Sequence, residues 1–293
     1  MTRSKPSLRN SAKRGLLCLS SFLLFAFVSG GCDFFPAETK PTYTEQDIPA
    51  AIQKICKEEY GIDVTISRSA NTLWIYTPIS RILHSEFGKN PDKIFDDVMQ
   101  EKARNVLTAT SRVLLSAEKT PECFVMVVSD VVEGLDYTIT ANCLDIKKSY
   151  AGAIPWPEAN RRFVIGLSAN EKAVGDKTGA HVKPYGIKTV DFLAAQIAQR
   201  IRYRFAEEDL KKQVTLAGVS AQYSGDTFFI SYALTVLPKA QKTVDFSAEM
   251  LRIAAYCLKT YDFKDFASLE LVDLDKKKMK NYTREEILSM KVL

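Results

Sequence analysis

The chain has 293 residues and carries 40 Lys and Arg against 35 Asp and Glu, a formal charge of +5. That excess lies in residues 1–31, where Arg3, Lys5, Arg9, Lys13 and Arg14 stand without an acid, so residues 32–293 hold 35 charges of each sign. A neutral body offers no electrostatic ground for nucleic-acid binding, which is set aside, and its 262 residues suffice for one large domain or two ordinary ones.

The basic head leads into an apolar run, residues 16–28, and then into the small residues Ser29-Gly30-Gly31 before Cys32. This is the three-part layout of a secretory signal. The run has 13 residues, short of the roughly 20 that span a bilayer as a helix. With Cys32 at its exit, Val28–Cys32 resembles the signal of a bacterial lipoprotein precursor, although Ser29 stands where that family usually has Leu. The resemblance implies cleavage before Cys32, a diacylglycerol thioether on its sulfur, and a chain held in the cell envelope by its acyl groups. Ordinary cleavage near Ser29-Gly30-Gly31, giving a secreted soluble protein, is the alternative. Asp33 resembles an inner-membrane retention signal of enterobacterial lipoproteins, a lineage-specific rule, so inner and outer membrane both stay open.

Residues 33–46 are polar with two prolines and read as a tether following Cys32. From Asp47, Ile48, Ile52 and Ile55-Cys56 recur at helical spacing to Tyr60, and Gly61 is placed to stop the helix. Strands are expected at 62–68 and 72–79, rich in β-branched and aromatic residues. A long helix opens at Pro91 with Ile94, Phe95, Val98, Val106, Thr110, Val113 and Leu114 along one face, and strands follow at 123–131 and 137–146. Residues 148–188 fit neither half: they hold Pro155-Trp156-Pro157, a short strand at 162–167 and five glycines, and read as an insertion or linker.

The order then repeats. Val190, Leu193, Ala194, Ile197, Ile201 and Phe205 make an apolar helical stripe. Strands at 214–222 and 227–236 flank Ser224-Gly225-Asp226, a hairpin turn. A helix from 244 to 261 and a strand at 268–274 follow, and Thr283 with Glu286 has capping-box spacing for a terminal helix through Met290. The expected fold is α+β, two similar modules at 47–147 and 189–293, each with helices on one face of a mainly antiparallel sheet. The run Lys276-Lys277-Lys278-Met279-Lys280 reads as a solvated turn, or as a contact for anionic headgroups.

Chemistry is sparse. No metalloprotease, nucleophile-elbow, phosphate-loop or dinucleotide motif occurs, so no catalytic residue and no cofactor is assigned. The two histidines, His84 and His181, stand apart from each other, and Cys56, Cys123, Cys143 and Cys257 have no metal-ligand spacing. Cys123 and Cys143 fall on successive strands and could pair; as buried small hydrophobes they would not. Trp156, fixed between prolines, is the best binding candidate, with His181 and Tyr185 of the same insertion beside it. Arg200-Ile201-Arg202-Tyr203-Arg204 adds a basic helix patch for an acidic partner or a solvated face. The expectation is a membrane-anchored, non-enzymatic envelope component that binds a protein partner. A small-molecule or glycan module, or an envelope hydrolase with an unfamiliar site, is the alternative.

Overall fold

Helix α1, Ile48–Tyr60, carries Pro49 in its first turn and buries Ile48, Ile52 and Cys56, one residue per turn along a single face. It ends where Gly61 takes φ 65°, a left-handed conformation that glycine adopts without strain. A computed structural model describes residues 41–90, 93–238 and 244–291. The signal, Cys32, most of the tether and the helix start expected at Pro91 lie outside the described residues.

Hairpin β1–β2, Thr65–Ser69 and Thr72–Ile79, is followed by α2, Asp97–Leu115. The long helix thus begins at Asp97, because the Asp96 carboxylate accepts the Val98 and Met99 N–H groups and caps it there. Ile94 and Val98, expected on its core face, are exposed, and the buried stripe runs instead through Met99, Ala103, Val106, Thr110 and Val113. Strands β3, Cys123–Asp130, and β4, Leu135–Asn142, follow. Strand β4 stops short of the expected 146 because Asn142 Oδ1 accepts the Leu144 N–H at 2.8 Å and starts α3, Cys143–Tyr150. Next come α4, Trp156–Arg162, a helix where only a proline-rich loop was expected, and β5, Val164–Ala169. The sheet order is β1-β2-β3-β4-β5, with only β2 and β3 parallel. Helix α2 supplies the crossover that a parallel pair needs.

The second module comprises α5, Thr189–Ala206, a single turn α6, Glu208–Lys211, β6, Val214–Ser224, and β7, Thr227–Val236. It continues with α7, Phe246–Thr260, β8, Ser268–Asp273, β9, Lys278–Thr283, and α8, Arg284–Ser289. Its sheet runs β6-β7-β8-β9, again with only the central pair parallel. Both modules are therefore helix, hairpin, crossover helix, two strands and a short capped helix. The parallel extends to single bonds. The Asn71 carbonyl receives Glu122 and Cys123 N–H as the Asp226 carbonyl receives those of Ala267 and Ser268. Asn142 caps α3 as Thr283 caps α8, the latter through a full capping box with Glu286. The fold is α+β with two similar modules. The lysine run expected as a turn leads into edge strand β9, which carries no apolar alternation and is almost wholly exposed.

Each module has its own core: α1 and α2 against Leu73, Ile75, Phe124 and Met126, and α5, α7 and α8 against Phe228, Ile230, Leu269 and Leu271. A polar seam joins the modules. Gln199 of α5 accepts the Ile165 N–H at 2.7 Å through Oε1 and donates to the Phe163 carbonyl through Nε2. Gln196 donates to the Arg162 carbonyl at 2.7 Å and to the Tyr261 hydroxyl at 2.9 Å, and Tyr261 donates onward to Asp145. The basic patch of α5 belongs to this seam: Ile201 is buried and Arg200 pairs with Glu158 at 2.8 Å. Among the described residues, no helix is long and apolar enough to cross a membrane.

Cys56, Cys123, Cys143 and Cys257 are all buried free thiols. Burial pushes Cys56 up to about 11 and Cys123 and Cys257 up to about 12, and it raises Cys143 likewise. Thiolate is the reactive species, so all four are expected to escape iodoacetamide at about pH 8 in the native protein and to be alkylated in denaturant. Peptide mass spectrometry reads this out; rapid native labelling of any one would place it outside the core.

Candidate functional site

The two faces of the first sheet are used differently, and they separate the three candidate residues. Leu73, Ile75, Phe124, Met126, Tyr137 and Ile139 point to the helices. Trp74, Tyr76, Val125 and Val127 alternate with them and point the other way, where Val182 and Ile187 pack on them. His181 and Tyr185 belong to this second face, as part of a strap of residues 170–187 that lies across it. Trp156 lies on the helix side.

Side-chain and backbone bonds tie the strap down. Trp74 Nε1 donates to the Tyr185 carbonyl at 2.9 Å, their rings lie 5.2 Å apart, and the Ile187 N–H donates to Thr72 Oγ1 at 2.9 Å. Tyr76 donates its hydroxyl proton to the Asp176 carbonyl, and burial pushes its own pKa up to about 12. Gly179 sits over the Tyr76 ring at φ +81°, where a Cβ would come within 2.7 Å of the ring. Only glycine fits there.

His181, its side chain 3% exposed, bridges two carboxylates: Nδ1 lies 2.7 Å from Asp176 Oδ2 and Nε2 lies 3.4 Å from Asp136 Oδ1. Ser129 Oγ stands 3.5 Å from Nε2, so Ser129, His181 and Asp176 have the residue types of a charge relay. They do not form a nucleophilic site. Ser129 is fully buried and gives its proton to Asp136, which also accepts Asn170 Nδ2 at 2.6 Å. No substrate carbonyl can reach that oxygen, and the network fastens the strap. His84 is engaged locally, its Nδ1 accepting the Glu86 N–H at 3.1 Å. No cluster of three or more His, Cys, Asp or Glu among the described residues is placed to hold a metal ion.

On the helix face, a groove of about 520 Å³ opens between α2 and β4. Met99, Ala103 and Leu107 form one wall, Tyr137 and Ile139 the floor, and Tyr150 and Trp156 the far rim. Trp156 is 49% exposed and Tyr150 44%. The tryptophan is held: Pro155 and Pro157 flank it at the start of α4, and its ring packs edge-on against buried Phe163, centroids 6.3 Å apart. The groove's polar groups are mostly satisfied from within, since Ser111 Oγ donates to the Leu107 carbonyl and Gln100 Nε2 to the Phe95 carbonyl. Arg104 is the one charged residue on the wall. Sequence reasoning singled out Trp156 but missed its neighbours. Met99 and Ala103 serve both the core and the groove wall, and Leu107, one turn further on, lies half-buried on the groove side.

Asp176 sets a pH signature for the strap. Burial raises its pKa, but the His181 N–H and ring together with Thr178 more than offset this, holding the carboxyl well below the usual range. A depressed folded-state pKa contributes stability above the unfolded value near 4, and that stability is lost as pH falls through the folded value. Amides of residues 170–187 are therefore expected to stay protected from hydrogen exchange at neutral pH and to lose protection only below about pH 4. His181→Ala, which removes the bridge between the carboxylates, is expected to cost about 2–3 kcal/mol and to deprotect the same amides at pH 7. Unchanged exchange there would show that the network does not hold the strap.

No family model, curated protein or solved structure matches this chain, so the functional reading rests on the groove and its residues.

Proposed function

We propose that the chain is an exported envelope protein, lipid-anchored at Cys32, whose first module holds an apolar segment of a protein partner in the Trp156 groove. The observation that carries the binding role is a rigid, half-exposed tryptophan on the rim of an apolar groove of about 520 Å³. A preorganised aromatic beside a desolvated pocket is the usual anchor of a protein interface. A small polar metabolite or a glycan would need several convergent polar groups. Here Ser111 and Gln100 bond to their own helix or its lead-in, so the groove selects by shape and apolarity. Arg104 is exposed on the wall with no ion pair among the described residues, so the fitting segment is apolar with an acidic residue facing that arginine.

The anchor rests on the layout of residues 1–32 and agrees with a body of balanced charge. A polar stretch between Cys32 and α1 would let the modules reach a partner away from the bilayer surface.

Two measurements test the parts separately. Cys32→Ala is expected to abolish lipid modification and release the protein from the membrane fraction; a variant that stays membrane-bound and unprocessed would sink the anchor. For the groove, a photo-crosslinker at Leu107 in cells is expected to yield a discrete protein adduct that one at Ser220 does not. Trp156→Ala should weaken the purified pair by about thirtyfold, since truncating an aromatic anchor costs about 2 kcal/mol or more. Arg104→Glu should weaken it further through charge reversal. Failure of position 107 to give an adduct, or an unaltered affinity in Trp156→Ala, rejects the groove as the docking site.

A further inference from the structure

Alongside the seam, α4, α5 and α7 enclose a second cavity of about 280 Å³, on the other side of α4 from Trp156. Its walls hold Arg161, Arg200, Arg204 and Arg252 against Glu158, Glu207 and Glu249, leaving one positive charge in excess. The acids are already engaged. Glu249, itself buried, takes Arg204 on one oxygen and Arg252 on the other, each at 2.7 Å. Glu158 Oε1 accepts Arg162, Arg200 and the Tyr256 hydroxyl together. Arg204 also gives Nη1 to Glu207 and Asp209 and Nη2 to Asp209.

Three arginines are left with donors to give. Arg161 is exposed at the rim and has no partner among the described residues. Arg252 uses Nη2 alone, on Glu249. Arg200 lies 4.8 Å over the Tyr256 ring and gives Nη2 to Glu158, which leaves Nη1. Guanidinium N–H groups that reach a cavity and have no carboxylate of their own are open to an incoming acceptor. The rest of the lining that is free of charge is Tyr203, Ile253 and Tyr256, a flat apolar and aromatic surface.

We propose that this cavity binds a small organic anion, its phosphate or carboxylate received by Arg161, Arg200 and Arg252 and its apolar or aromatic body laid against Tyr203 and Ile253. The volume suits a ligand at the small end of the usual range. Guanidinium groups bind such oxyanions by paired, charge-assisted hydrogen bonds. This site is independent of the Trp156 groove and of what docks there.

Isothermal titration of the full chain in detergent, with phenyl phosphate, inorganic phosphate and phenol, tests it. Phenyl phosphate is expected to bind saturably and about tenfold more tightly than inorganic phosphate, with no saturable binding of phenol. Arg161→Ala, on an exposed side chain, is expected to weaken phenyl phosphate about tenfold with an unchanged unfolding temperature, and Arg252→Ala is expected to weaken it too. Absence of saturable phenyl phosphate binding overturns the proposal, as does undiminished affinity in both variants. Equal affinity for inorganic phosphate overturns the assignment of an organic ligand.

Discussion

Strand β5 ends the first sheet, and its outward edge is where the protein is joined. A strand edge presents unpaired N–H and C=O groups, and burying it under a helix leaves each without water. Two glutamines one helical turn apart answer this. Gln199 matches a donor of the β5 edge at Ile165 and an acceptor at Phe163, just before the strand, while Gln196 takes the Arg162 carbonyl. Each group left unsatisfied would cost about 1–3 kcal/mol, so α5 has one low-energy seat along the strand. Apolar contacts alone would permit sliding by a turn; paired amides do not. The placement of α4 follows from it. Arg162 at its end is fixed by Asp145 and Glu158, and Glu158 is held in turn by Tyr256 of α7. Trp156 on one side of this short helix and Arg161 on the other therefore take their positions from the seam.

The two modules repeat a topology but differ in what covers them. The first sheet has a fifth strand and a strap over its outer face; among the described residues the second sheet has neither. It is protected in other ways. Strand β9 places Lys278 and Lys280 on its edge, and charge there opposes the addition of another strand. Strand β6, 11 residues without a charge, carries a register shift between Leu216 and Gly218, and the Val219 carbonyl is taken by Arg202 at 2.7 Å. A bulge and a capped carbonyl interrupt what would otherwise be a long template. Added covering in one module and edge defence in the other solve the same problem.

What could be read in the sequence is what depends on neighbours along the chain. The Gly225-Asp226 turn forms with both residues at positive φ, 53° and 60°, as a tight hairpin requires. The Thr283–Glu286 capping box and the Leu193–Ile197–Ile201 stripe are local devices of the same kind. Failures come where a distant partner decides. Lys278–Thr283 has no apolar alternation, and only its pairing with β8 makes it a strand. Residues 143–146 read as strand until the Asn142 side chain takes the Leu144 N–H and turns the chain into a helix. Gln196 and Gln199 are nearly fully buried, yet glutamine on a helix carries no sign of burial in its neighbours. Arg200 and Arg204 read as a solvated patch, because the acids that hold them come from other elements.

The candidate site shows the same division. Both Trp156 and His181 stand out in the sequence, as a rigid tryptophan and one of two histidines, but their surroundings assign them opposite roles. His181 has every ring nitrogen near a carboxylate and almost no exposed surface, so its bonding capacity is used up within the protein. Trp156 rests one edge on Phe163 and leaves half its surface uncovered above a groove. Capacity left over, apolar area in one case and unpaired guanidinium N–H in the other, distinguishes a surface held ready for another molecule from one that serves the fold. By that criterion both sides of α4 carry capacity that the fold does not use, and the insertion that carries it does two jobs. It closes the first sheet against the second module, and it holds Trp156 and Arg161 out to solvent.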